Sequence, residues 1–129
     1  MGVFKILIAD DDAEMRMLVR FSLNTLGFSN VVEARNGEEA LSILKGDRFD
    51  LVMSDWNMPI VSGVELLRNV RDLESYGGVP FLMLTCRREE DAVVEAIKLG
   101  ANGYVVKPFS VATLEQQLRK LIPAQYFKD

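Results

Sequence analysis

The sequence predicts an open, doubly wound α/β fold in which five parallel strands alternate with five helices. Three observations carry that prediction. Short apolar runs alternate with stretches of helical period, which is the pattern of β/α units. The run VPFLMLT (79–85) is almost wholly apolar, as a central parallel strand covered on both faces requires. Residues that cap or stop helices, Asn36, Ser110, Gly27, Gly46 and Gly100 among them, fall between the runs.

The first strand is FKILIA (Phe4–Ala9). A helix follows with Met15, Leu18, Val19, Ser22 and Leu26 on its inward face, and Gly27 stops it. NVVEA (30–34) is a short second strand. Asn36 then caps a helix bearing Ala40, Leu41 and Leu44 that ends at Gly46. FDLVMS (49–54) is the third strand; after the NMPIVSG loop, Leu66, Leu67 and Val70 mark the third helix. VPFLMLT is the fourth strand. Ala92, Val93, Ala96 and Ile97 give the fourth helix, closed by Gly100. GYVV (103–106) is the fifth strand, and Ser110 caps a last helix with Val111, Leu114, Leu118 and Leu121 inward and Pro123 just beyond. Of the common orders for such a sheet, the flavodoxin-like 2-1-3-4-5 is expected.

The totals narrow the function. One domain accounts for 129 residues, and 49% hydrophobic with 26% charged residues is the composition of a soluble globular protein. A net charge of −4 with no basic cluster argues against direct nucleic-acid binding. The single cysteine, Cys86, permits no internal disulfide and is expected as a small packing residue. No apolar run approaches the ~20 residues of a membrane helix, and MGVFKI has neither a signal-peptide pattern nor the Ser or Thr of a myristoylation site, since Ile6 stands there. A cytoplasmic monomer is expected. The chain has no histidine, so chemistry must run on carboxylates, Lys, Thr and backbone.

The polar residues collect at one rim. Asp10 and Asp11 follow the first strand, Asp55 the third, and Lys107 the fifth, while Thr85 ends the fourth. Carboxyl ends of parallel strands share an edge, and open α/β sheets bind ligands there. Each residue also has an ordinary local reading. Asp12 caps the first helix, Asp55 with Asn57-Met58-Pro59 makes a turn, Thr85 merely ends a strand, and Lys107 before Pro108 is a solvated loop lysine. Those readings leave the convergence unexplained. At an effective dielectric of about 20, two like charges ~4 Å apart cost roughly 4 kcal/mol, so either one carboxylate takes a proton or a cation sits among them. Oxygen ligands with few protein contacts favour Mg²⁺. A metal and the Lys107 ammonium around one carboxylate make a place for a phosphoryl group.

The ordered pattern ADDD, SDWNMP, LT and YVVKPF resembles the receiver domain of two-component response regulators over nearly the whole chain. The stretches SDWNMP, GVELLRNVR and GANGYVVKPFSVATLE are similar to the stand-alone chemotaxis regulators within that family. The 2-1-3-4-5 strand order is itself an attribute of such regulators. The resemblance implies that Asp55 is the phosphoacceptor, taking phosphate from phosphohistidine on a sensor histidine kinase or from acetyl phosphate. It implies that Asp11, Asp55 and the Asn57 carbonyl hold Mg²⁺, with Asp10 supporting it through water. Lys107 would pair with phosphoryl oxygens across a cis Lys107–Pro108 bond, and Thr85 would bond to the phosphoryl group. Tyr104 would move inward behind Thr85 and bias a downstream docking face on the fourth helix, fifth strand and fifth helix. Glu89, Glu90 and Gln117 depart from the chemotaxis pattern, which has basic residues at those places. Arg87 and Asn57 flank the path of attacking water and are expected to tune the lifetime of the phosphoryl group.

The reading is therefore a signalling switch, not an enzyme, with residues 1–122 as the receiver and 123–129 as a C-terminal tail. One alternative is a receiver belonging to a longer transcription factor or hybrid kinase, with PAQYFKD as a free tail or the start of a linker. Another is a Mg²⁺-dependent aspartyl-phosphate phosphatase built on Asp10 and Asp12, which would leave Asp55 unexplained.

Overall fold

A computed structural model describes residues 3–128; Met1 and Gly2, at the start of MGVFKI, and Asp129, at the end of the tail, lie outside the described residues. The elements alternate as predicted: β1 (Ile6–Ala9), α1 (Ala13–Thr25), β2 (Val31–Ala34), α2 (Gly37–Gly46), β3 (Leu51–Ser54), α3 (Gly63–Asp72), β4 (Phe81–Thr85), α4 (Glu90–Lys98), β5 (Gly103–Val106) and α5 (Val111–Leu121). The strands form one sheet in the order β2-β1-β3-β4-β5, with every pair parallel.

Strand alternation divides the interior into two cores, because successive side chains point to opposite faces. Leu7, Ala9, Val52, Phe81 and Met83 face α2, α3 and α4 and meet Leu44, Leu66, Val70 and Ala96 there. Ile6, Ile8, Leu51, Met53, Leu82 and Leu84 face α1 and α5 and meet Val19, Leu23, Leu114 and Leu118. Burying one such side chain completely is worth about 1.5–3 kcal/mol. The register that satisfies both cores at once is strongly specified, since a one-residue slip would exchange the two faces.

Local chemistry sets the helix starts. Asp12, Asn36 and Ser110 each accept a backbone N–H from the first turn, of Glu14, Glu39 and Thr113 respectively. Ser62 does the same for α3, and Glu65 returns a bond to the Ser62 N–H, completing a capping box. At the start of α4, Glu89 makes no side-chain cap. Gly27 closes α1 at φ +107°, a left-handed conformation that glycine adopts without a Cβ penalty.

The strands are shorter than the apolar runs, because Phe4, Phe49 and Val79 are part of the packed interior while still outside the ladder. On α1 the inward face includes Leu23 and leaves Leu18 exposed; on α4, Ile97 is exposed although its spacing suggests otherwise. The segment expected as a tail forms a 3-10 turn (Ala124–Tyr126) and returns to the body. Phe127 is buried and stands edge-on to Phe28 at 5.1 Å, and the Lys128 N–H donates to the Leu26 carbonyl at 2.9 Å.

Candidate functional site

Backbone pairing continues past the strand ends into the residues of interest. Asp10 N–H donates to the Ala34 carbonyl (3.1 Å), Asp55 N–H to the Ala9 carbonyl (3.0 Å) and Lys107 N–H to the Thr85 carbonyl (2.9 Å). The sheet itself thus fixes where three ionisable side chains begin. Asp10, Asp11 and Asp55 present carboxylate oxygens that all lie within 4.8 Å of one another. Asp10 is buried, Asp55 half-buried and Asp11 exposed.

Lys107 is buried, and its Nζ lies 2.7 Å from Asp10 Oδ2 and 3.3 Å from Asp55 Oδ2. Asp10 Oδ1 accepts the Asp12 N–H at 2.9 Å, so both of its oxygens already have partners. Arg16 donates to the Asp10 carbonyl at 2.7 Å. Burial pushes the Asp10 carboxyl above its ordinary value, and the Asp55 charge adds to the rise against the opposing hydrogen bonds of Lys107 and Asp12. Burial pulls the Lys107 ammonium down. The hydrogen bond and charge of Asp10, with the charge of Asp55, outweigh that pull, and the net shift is upward. Lys107 therefore stays protonated, a fixed cation among carboxylates that still outnumber it.

Asp55 Oδ1 accepts the Trp56 N–H at 2.7 Å, which holds the carboxylate at the head of the loop. The loop turns tightly back: Gly63 N–H donates to the Trp56 carbonyl at 2.8 Å, and a Cβ on Gly63 would stand 1.9 Å from the Asp55 carbonyl oxygen. Only glycine allows that approach. Ile60, in the same loop, sits at φ +70°.

Thr85 is buried, and its hydroxyl lies 3.4 Å from the Arg87 N–H. The half-buried Tyr104 hydroxyl donates to the Arg87 carbonyl at 2.7 Å. Burial raises the Tyr104 phenol, with Glu89 and Asp55 adding to the rise and Arg87 opposing it. The Arg87 guanidinium lies over the buried Trp56 ring, 4.9 Å from its centroid, and donates to Asn57 Oδ1 at 3.3 Å. Such a stack is worth about 0.5–1 kcal/mol when exposed and about 2 or more when desolvated. The Arg87 Nε is buried without a hydrogen-bond partner. The Lys107–Pro108 bond is cis.

Asp10, Asp11, Asp55 and Lys107 thus form one cluster, and Arg87 links Thr85, Tyr104 and Asn57 to its edge. Asp12 stands apart as the cap of α1, bonded to the Glu14 N–H at 3.0 Å. Cys86, expected to pack inside, is exposed because the strand ends at Thr85. Sequence reasoning missed Gly63, although Ser62 and Glu65 carry the capping-box spacing that marks a helix start beside it. Arg16 and the Trp56–Arg87 stack had no local signal, since both contacts join separate elements. The donor set is all hard oxygen from carboxylates, with a surplus of negative charge, and it could hold a small divalent cation such as Mg²⁺.

The response regulator receiver domain profile matches residues 6–119. Chemotaxis protein CheY-3 of Vibrio cholerae is 46% identical over 117 residues, covering 91% of this chain and 90% of that protein. Chemotaxis protein CheY of Pseudomonas aeruginosa is 44% identical over 117 residues, covering 91% and 94%. Among solved structures, Vibrio cholerae CheY4 superposes with a TM-score of 0.87 at 36% identity, covering 94% of this chain and 100% of that one. The receiver domain of a Pseudomonas aeruginosa sensor histidine kinase, solved with magnesium coordinated in its active-site cleft, superposes with a TM-score of 0.84 at 25% identity, covering 93% and 98%.

Proposed function

The chain belongs to the response regulator receiver domains, and on that premise we propose that it is a phosphorylation-operated switch in chemotaxis-like signalling. The observation that carries the proposal is the half-buried Asp55 carboxylate facing a buried, protonated Lys107 beside two further aspartates.

An Asp55 carboxylate oxygen attacks the phosphorus of a phosphohistidine on a sensor histidine kinase, or of acetyl phosphate, and the donor's bond to phosphorus breaks. Lys107 moves little in this step, because the sheet and Asp10 already hold its Nζ 3.3 Å from Asp55 Oδ2. It neutralises charge on the phosphoryl oxygens by preorganised attraction. Asp11, Asp55 and the Asn57 carbonyl are the ligands proposed for Mg²⁺, with Asp10 behind them through water; bound there, the metal offsets the charge of the transferring group. The Thr85 hydroxyl bonds to the new phosphoryl group, and Tyr104 follows it inward. The surface of α4, β5 and α5 is then the face a downstream protein docks on. Glu89, Glu90 and Gln117 give that face a different charge from the basic chemotaxis pattern, so its partner differs in charge as well. The names of the relatives support the chemotaxis setting.

Trp56 is the only tryptophan, and its backbone N–H donates to the proposed phosphoacceptor. Its emission is expected to change on adding Mg²⁺ and to change again with acetyl phosphate. Asp55→Asn abolishes the second change; an acetyl phosphate response that survives Asp55→Asn counts against the proposal.

A further inference from the structure

We infer that Arg87 is a positioning residue whose side chain fixes the carbonyl on which the half-buried Tyr104 hydroxyl rests before any phosphoryl group arrives, an assignment that rests on Tyr104 being the switch residue proposed above. One side chain joins the loop after β3 to the loop after β4. The guanidinium stacks on Trp56 and donates to Asn57 Oδ1, both on the Asp55 side. The backbone of the same residue meets the switch side: its N–H faces the Thr85 hydroxyl, and its carbonyl accepts the Tyr104 hydroxyl at 2.7 Å.

The hydrogen-bond acceptor for Tyr104 is a backbone carbonyl, which any residue at position 87 supplies. What arginine adds is the place of that carbonyl. Two anchors on its side chain, the Trp56 ring and the Asn57 amide oxygen, draw the second loop against the first. The Tyr104 hydroxyl then reaches the carbonyl while its ring packs against the core beneath α2, α3 and α4. The clamp is also releasable. Its one hydrogen bond is long, and the Arg87 Nε is buried without an acceptor, so the cost of that unpaired donor works against the clamp. Phosphorylation at Asp55, next to Trp56, acts on one end of this clamp and so reaches Tyr104 through the arginine as well as through Thr85.

The test uses unphosphorylated, Mg²⁺-free protein labelled with fluorotyrosine. Three tyrosines are present, and the Tyr104 resonance is the one lost in Tyr104→Phe. Arg87→Ala is expected to move that resonance toward the value of a solvent-exposed ring and to change Trp56 emission. Arg87→Lys, which keeps the charge but not the planar stack, falls between. Tyr76 and Tyr126 report whether the fold is intact. If Arg87→Ala does not fold, Trp56→Leu must move the Tyr104 resonance in the same direction. A Tyr104 resonance unmoved in the folded variant overturns the inference, whether or not Trp56 emission changes. No phosphodonor is present, so failure here leaves the assignment of Asp55 untouched.

Discussion

Ile60 holds a backbone conformation that branched side chains rarely take, at φ +70° in the loop that follows Asp55. Its side chain is 68% exposed, so little apolar burial offsets the strain. Ile60→Asn is expected to raise stability by about 1 kcal/mol, read as a higher urea midpoint; an equal or lower midpoint would show that the isoleucine is not strained. Single residues of the site differ in how well the sequence announces them. Asp10, Asp55 and Lys107 stand out because each ends an apolar run where a charge serves no core. Arg87 does not, because its partners Trp56 and Asn57 lie 31 and 30 positions away and only the sheet brings them together.

At the scale of elements, β2 is tied to α1 by one carboxylate between two arginines. Glu33 accepts from Arg16 at 2.9 Å and from Arg20 at 2.7 Å. Burial pushes the Glu33 carboxyl up, but the hydrogen bonds and charges of Arg20 and Arg16 outweigh it and hold the group below its ordinary 4.5. A depressed folded-state value means that this carboxylate stabilises the fold fully above the unfolded value, and that the contribution fades as pH falls through the folded one. The stability difference between wild type and Glu33→Gln is therefore expected to stay constant above about pH 5 and to shrink below about pH 4. Urea titrations across that range check it, and a difference that grows on acidification contradicts it. The existence and order of the elements were legible because parallel strands covered on both faces read as continuous apolar runs. Their ends and faces were less so. Packing extends one or two residues past the ladder, as at Val79, and α1 buries Leu23 while leaving Leu18 exposed, a difference in phase that its packing in the core decides.

Over the whole molecule, the acidic cluster and Phe127 lie at opposite edges of the sheet. Residues 124–128 close the edge where the strands begin: Phe127 packs on Phe28, Arg119 lies 4.2 Å over the Phe127 ring, and Gly27 leaves room for the Lys128 backbone. PAQYFKD carries no period by which this docking could be read, since a short aromatic segment packs as well as it extends. Phe127→Ala is expected to cost about 3 kcal/mol, measured as a lower urea midpoint, while leaving acetyl phosphate reactivity at the far rim unchanged. An unaltered midpoint would mean that the segment is free in solution. At the far rim a carboxylate, a buried ammonium and two more acids converge. The most direct measurement is the intact mass of the protein after incubation with acetyl phosphate and Mg²⁺, with the modified residue located by fragmentation. The expected result is one added phosphoryl group, carried by Asp55, absent with chelator and absent in Asp55→Asn. The same adduct on Asp55→Asn, or on another residue of the wild type, would contradict it.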